Sequence, residues 1–437
     1  MSPTEPSPLS PGVLAIMAFR AGTLVPTSSV QAPRSLSALK VKNEQISPAI
    51  DLPVDTPGIV DDGARTETGV NRVASPAFDL SCLTVQRFYF SDDRGTTWKR
   101  QCLEPVDGLL GYGGATVAYG VDPSTVDAYI FGIDADSSGL NGEIVYEKTT
   151  DNGTTWGAPA VAVPATYPGG FTDEPRAEVD HNPGSPFQGA IYLSITQFDS
   201  TLTKSRISLS RSTDGGATWT TSFPSAEQTA PDVAQFSDLA VGPDGTVYVS
   251  WMQCTAGGPT DDCGGQAETM MVARSTDGGT SWGPPITTMV DSAPPDTNGI
   301  DFYGTLPGTN EPLTNIPAID VETGGSSPGF VCHDATNFTE DPHLAVMVTC
   351  SSDGGITWSS PVSVVPSGRT DDQFLPWLSV SPTGVIATTW LDRKMQEEIR
   401  KVRGYIAFSS DGGATWTRPK PIATAFSGSS LNRVGAA

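Results

Sequence analysis

The acidic and basic side chains of this 437-residue chain gather in a few short runs. Asp173 and Glu174 precede Arg176, and Arg369 precedes Asp371, Asp372 and Trp377. Asp392 adjoins Arg393, and Asp238 lies between two apolar stretches. Further carboxylates are Asp199, Asp261, Asp262, Asp291, Asp296 and Asp301, with Tyr303 close behind. Carboxylates of this kind move protons and accept hydrogen bonds from hydroxyls. Arginines grip a carboxylate bidentately, and an exposed aromatic ring offers a flat apolar face. Brought together, these are the parts of a sugar site. Other chemistries lack their parts. His181, His333 and His343 fit neither HExxH nor a zinc spacing, so no metal and no cofactor is expected. There is no P-loop, no GxGxxG after a strand and no nucleophile elbow.

The elements that must position these residues are announced by a repeat. The pattern Ser/Thr-x-Asp-x-Gly-x-Thr/Ser-Trp occurs six times: 91–98, 149–156, 212–219, 275–282, 351–358 and 409–416. Its aspartates are Asp93, Asp151, Asp214, Asp277, Asp353 and Asp411, spaced by 58, 63, 63, 76 and 58 residues. A period of this size marks a repeat architecture. The aspartate suits a tight turn because its carboxylate accepts nearby backbone N–H groups. The glycine supplies a positive φ, and the tryptophan is large enough to pin a hairpin. The D-x-D-x-D-G…E set of a calcium loop is absent, so these turns are read as structural. A second repeat supports the period: 235–251 matches 374–390 as a strand, a Pro-x-Gly turn and a second strand. Weaker copies of its first strand end at Val121, Val179 and Val321. The link after the fourth motif carries about 16 extra residues, within 289–315.

The six motifs resemble the Asp-box, or BNR, repeats of sialidases and related β-propellers, over about residues 80–420. The resemblance implies an all-β, six-bladed β-propeller of four-stranded antiparallel blades. The Asp box lies at the C–D turn of each blade, and the active face is the opposite one. On that face fall the strand-A starts, with Asp173, Glu174, Arg176, Asp238, Asp371, Asp372 and Trp377. Arg369 lies in a link there, and Asp199, Asp392, Arg393, Asp261 and Asp262 lie on B–C loops. The inserted link adds Asp291, Asp296, Asp301 and Tyr303. The expected ligand-binding set is Asp173, Arg176, Arg369, Asp372, Trp377, Asp392 and Arg393. Trp377 is expected to face the channel and Trp390 the core. Sialidases hold the substrate carboxylate with three arginines, attack through a tyrosine activated by a glutamate, and use an aspartate as acid and base. By position, Tyr303, Asp238 and Asp371 are the catalytic candidates, and Arg176, Arg369 and Arg393 the arginine candidates. The Arg-Ile-Pro motif of the first blade is absent, and Arg65 and Arg72 stand in other contexts. The scaffold therefore carries over and the catalytic set does not. Recognition of a glycan or surface protein ligand, exo-sialidase-type hydrolysis and a structural role in a surface assembly all stay open.

The formal net charge of −24 repels phosphate backbones and anionic lipid, so no nucleic-acid partner and no membrane insertion are expected. No apolar run approaches the roughly 20 residues of a membrane helix. The short stretch 13–19 lacks a basic flank and makes a poor signal peptide. Six cysteines pair locally as Cys82/Cys102, Cys254/Cys263 and Cys332/Cys350, which points to disulfides and an extracellular setting. Residues 1–40, rich in Pro and Ser, read as a tail or arm, and 41–437 as a single propeller domain. The first two strands of the first blade are expected within 41–80.

Overall fold

A computed structural model describes residues 60–61, 72–78, 82, 86–93, 97–106, 109–121, 126–136, 141–165, 170–201, 203–230, 232–254, 267–292, 315–324, 329–338, 343–365, 372–393, 401–422 and 427–428. Every regular element among them is a β-strand. The strands form six antiparallel sheets, each built from consecutive stretches of chain. The first sheet is β1 (Val60–Asp61), β2 (Val73–Phe78), β3 (Gln86–Ser91) and β4 (Lys99–Cys102). The second is β5 (Leu110–Tyr119), β6 (Ala128–Ala135), β7 (Glu143–Thr149) and β8 (Ala160–Val163). The third is β9 (Phe171–Val179), β10 (Ile191–Phe198), β11 (Lys204–Ser212) and β12 (Thr220–Ser222), with β13 (Gln228–Thr229) also on β11. The fourth is β14 (Val233–Val241), β15 (Val247–Cys254), β16 (Ala267–Ser275) and β17 (Ile286–Ser292). The fifth is β18 (Ile319–Val321), β19 (Val331–Phe338), β20 (Leu344–Ser351) and β21 (Val362–Ser363). The sixth is β22 (Asp372–Val380), β23 (Ile386–Arg393), β24 (Lys401–Ser409) and β25 (Lys420–Pro421), with β26 (Ser427–Gly428) on β24.

The second strands β6, β10, β15 and β23 are buried along almost their whole length instead of alternating. That pattern belongs to a strand covered on both faces. The covers are the neighbouring sheets. Phe88 and Phe90 of the first sheet pack with Val117, Tyr119 and Ile130 of the second. Phe131 and Ile144 pack with Ile191 and Leu193, and Tyr192 and Leu209 with Val249 and Trp251. Tyr248 and Val272 meet Ile319 and Val331, and Val346 and Cys350 meet Leu378 and Trp390. Trp390 is fully buried, as its position predicted.

A first strand has one unpaired edge, whose N–H groups need acceptors. Side chains of the preceding sheet supply them. Thr116 Oγ1 accepts from Ala177 N at 3.2 Å, and Thr196 Oγ1 from Phe236 N at 3.1 Å. Asp238 Oδ2 accepts from Ile319 N at 2.9 Å. Asp320 Oδ2 accepts from Val380 N at 2.6 Å and from Ser379 Oγ at 2.9 Å.

The first residue of each repeat motif (Ser91, Thr149, Ser212, Ser275, Ser351 and Ser409) is the last residue of the third strand of its sheet. The aspartate then closes the turn. Asp214 accepts Ser212 Oγ at 2.8 Å, Thr218 N at 2.9 Å and Thr218 Oγ1 at 2.5 Å. Asp277 and Asp353 make the same set with their own residues. The donated hydroxyl and N–H bonds pull the Asp214 and Asp277 carboxyls down to about 2. Gly216, Gly279, Gly355 and Gly413 all have positive φ. A Cβ on Gly216 would meet the Tyr146 ring at 3.1 Å, and one on Gly355 would meet Tyr248 at 2.9 Å. The third and fifth turns thus dock on an aromatic ring of the preceding sheet.

One difference from expectation is small. β5 ends at Tyr119, two residues before Val121, whereas β9 and β18 end on Val179 and Val321 as expected. The first sheet begins with β1 and β2, inside the 41–80 window. Residues 1–40 lie outside the described residues. Cys82–Cys102 and Cys332–Cys350 are disulfides. Cys254 is disulfide-bonded as well, and Cys263 lies outside the described residues. No helix among the described residues is long and apolar enough to cross a membrane.

Candidate functional site

The second repeat seen in the sequence fixes one register on three sheets. Asp173, Gln235 and Phe374 share its first position, and Arg176, Asp238 and Trp377 its fourth. The second position is Glu174, Phe236 or Leu375, and all three have left-handed backbones, with φ of 48°, 56° and 50°. Non-glycine residues rarely adopt that region, and a bulge in each first strand holds them there. Such strain concentrates at functional sites. On the fourth and sixth sheets the strained residue is apolar. On the third sheet it is an acid.

The bulge turns Glu174 toward Arg176, and their side chains pair at 3.0 Å. The Arg176 guanidinium also lies 5.5 Å from the centre of the Trp377 ring. This cation–π contact joins the third sheet directly to the sixth, so the series of sheets curves back on itself. Asp173 sits beside the pair and accepts Glu174 N at 3.0 Å. Burial, followed by the charge of Glu174, pushes the Asp173 carboxyl up to about 7. The Glu174 N–H, the Arg176 charge and a Gln235 side-chain hydrogen bond pull the other way and lose. Asp173 is thus a carboxyl held toward its protonated form, next to an ion pair and an aromatic ring.

The other candidates are placed elsewhere. Asp372 and Arg393 face each other across β22 and β23. Their side chains are 0% and 1% exposed and form an ion pair. Asp372 Oδ1 also accepts Leu344 N at 3.1 Å and lies 3.6 Å from His343 Nδ1. This pair is a sealed strut between the fifth and sixth sheets, so Arg393 does not join Arg176 in gripping an external ligand. Asp392 is buried as well. Asp238 is buried and holds the start of β18, as described above. Asp199 closes its own turn, accepting Thr203 N at 2.7 Å and Lys204 N at 2.9 Å. Asp291 belongs to β17 opposite Glu268. Tyr303, Arg369, Asp371, Asp261, Asp262, Asp296, Asp301 and Arg65 lie outside the described residues. Arg72 pairs with Asp92 at 3.4 Å, inside the first motif.

The three histidines are structural in their contacts. His333 is buried, its Nε2 is 2.6 Å from Thr288 Oγ1, and burial pulls it down to about 4. His181 Nε2 is 2.9 Å from Tyr119 O. Among the described residues no cluster of His, Cys, Asp or Glu is arranged to hold a metal ion. Sequence reasoning missed Gln235 as a partner of Asp173 and missed the left-handed backbone at Glu174. The signal was available: Glu174, Phe236 and Leu375 occupy the same place in the second repeat.

No family model and no curated protein matches the chain. Solved structures do. A Hadza microbial sialidase is 14% identical at a TM-score of 0.46, covering 78% of this chain and 63% of its own. The chain therefore spans less than two thirds of that sialidase. The intramolecular trans-sialidase of Ruminococcus gnavus, in complex with oseltamivir carboxylate, is 12% identical at 0.46, covering 77% and 89%. An α-L-arabinanase of Penicillium chrysogenum, complexed with arabinobiose, is 17% identical at 0.43, covering 72% and 81%. The solved structures that this chain resembles are thus β-propeller glycoside hydrolases.

Proposed function

We propose that the six sheets are the blades of an extracellular Asp-box propeller that recognises glycans where its first strands begin. The observation that carries this reading is the Arg176–Trp377 contact with Asp173 and Glu174 beside it. The third and sixth blades of a six-bladed ring are opposite one another, so the contact marks the axis. A site at the axis is lined by every first strand, and this one offers hydroxyl acceptors and an aromatic face. The disulfides support an oxidising setting. Trp377→Ala is expected to abolish binding on a glycan array while leaving the fold intact. An array with no hit for the purified wild-type protein defeats the reading.

Glycoside hydrolysis is the second reading, and the raised Asp173 carboxyl favours it. A general acid must be protonated at the working pH. Because the folded-state value lies at about 7, the acid form dominates below it and is lost above it. Turnover of fluorogenic glycosides, sialosides among them, is then expected to fall as pH rises through 7, and Asp173→Asn to remove it. Tyr303 as nucleophile, with Asp238 or Asp371 as the partner carboxylate, is the sialidase-type version. Tyr303→Phe with unchanged turnover rules that version out.

A further inference from the structure

We infer that the site takes an uncharged sugar and discriminates against carboxylate-bearing ones. The inference deepens the glycan reading and rests on it. A ligand carboxylate needs an arginine with charge to spare. Arg176 is already balanced by Glu174, which pairs with its terminal nitrogen at 3.0 Å. The two side chains are only 14% and 24% exposed, so solvent screens their attraction weakly. Of the other arginine candidates, Arg393 is the one among the described residues, and it is sealed against Asp372. An anion approaching Arg176 would also meet the neighbouring Asp173 carboxyl, which accepts the Glu174 N–H. The whole chain repels it too, at a formal net charge of −24. A neutral sugar has no such cost. Its hydroxyls donate to the two carboxylates, and its apolar face lies on Trp377.

The backbone at Glu174 supports the same conclusion. In the second sheet the bulged first strand has Gly114 at φ 62°, the residue type that adopts this conformation freely. The third sheet places a glutamate in the equivalent strained conformation. What the glutamate adds over glycine is a carboxylate held against Arg176.

The experiment is a glycan array carrying matched neutral and sialylated or uronate-terminated glycans, probed with wild type, Glu174→Gln and Glu174→Gly. Wild type is expected to favour the neutral member of each pair by tenfold or more. Both variants release Arg176 and are expected to shift the neutral-to-acidic ratio toward the acidic member by about tenfold, the worth of one charge-assisted hydrogen bond. The glycine variant fits the local backbone, so loss of fold does not mask the shift. Wild-type preference for acidic glycans, or a ratio that neither variant moves, overturns the inference and leaves the glycan reading standing. An array with no hit removes both.

Discussion

Glu268→Gln is expected to flatten the pH dependence of stability. Glu268 lies on β16, is 1% exposed, and its Oε2 accepts Asn315 Nδ2 at 2.7 Å. Asn315 in turn donates to Thr336 O at 2.8 Å and accepts Thr336 N at 2.9 Å. This clasp joins the fourth sheet to the fifth at the residue where the long link returns. Burial pushes the carboxyl from 4.5 up to about 7, against the opposing pull of the Asn315 hydrogen bond. The folded-state value is the higher one, so folding favours the protonated form. Its contribution is complete below about 4.5 and is lost as pH rises to about 7. At about 1.4 kcal/mol per pH unit the gap amounts to about 3 kcal/mol. Glutamine keeps the shape and the acceptor oxygen without the titration. Thermal melting followed by circular dichroism from pH 4.5 to pH 8 is the assay. The variant is expected to lose several degrees less than wild type over that range and to melt higher at pH 8. Parallel curves for the two proteins would show that folding does not shift the Glu268 carboxyl, and the reasoning fails.

Three further perturbations test the scaffold. Gly216→Ala forces a Cβ against the Tyr146 ring at φ +98° and is expected to cost about 1–3 kcal/mol in urea denaturation. Gly157→Ala, with only Lys148 O at 3.5 Å from the built Cβ, is its neutral control. Arg393→Met leaves Asp372 buried without its cation and is expected to cost about 3–5 kcal/mol, much of it regained by Arg393→Met with Asp372→Asn. Cys332→Ser with Cys350→Ser opens an 18-residue link and is expected to lower stability by about 3 kcal/mol, read as a drop in Tm.

The turns were legible in the sequence and the site was not. Each repeat motif carries its turn chemistry within eight residues, so Ser212, Asp214, Gly216 and Trp219 announce a hairpin without help from the rest of the chain. The same locality made 235–251 and 374–390 readable as strand, turn and strand. Charges carry no such local mark. Asp238, Asp372, Asp392 and Arg393 read in the sequence as accessible site residues of one face, yet all four are buried. Their partners, Ile319 N for Asp238 and Leu344 N for Asp372, come from neighbouring sheets 81 and 28 residues away. No window of sequence contains both ends of such a bond. Arg176 and Trp377 meet for the same reason, through packing of sheets that the sequence separates widely.

The central claim is that ligands enter where the first strands begin and not at the motif turns. Titration calorimetry of the best array glycan against wild type, Trp377→Ala and Ile356→Ala addresses it directly. Ile356 lies in the fifth motif and is 56% exposed, so it samples the opposite end. Loss of binding with Trp377→Ala and wild-type affinity with Ile356→Ala is the result the account predicts. Wild-type affinity with Trp377→Ala, or loss with Ile356→Ala, contradicts it.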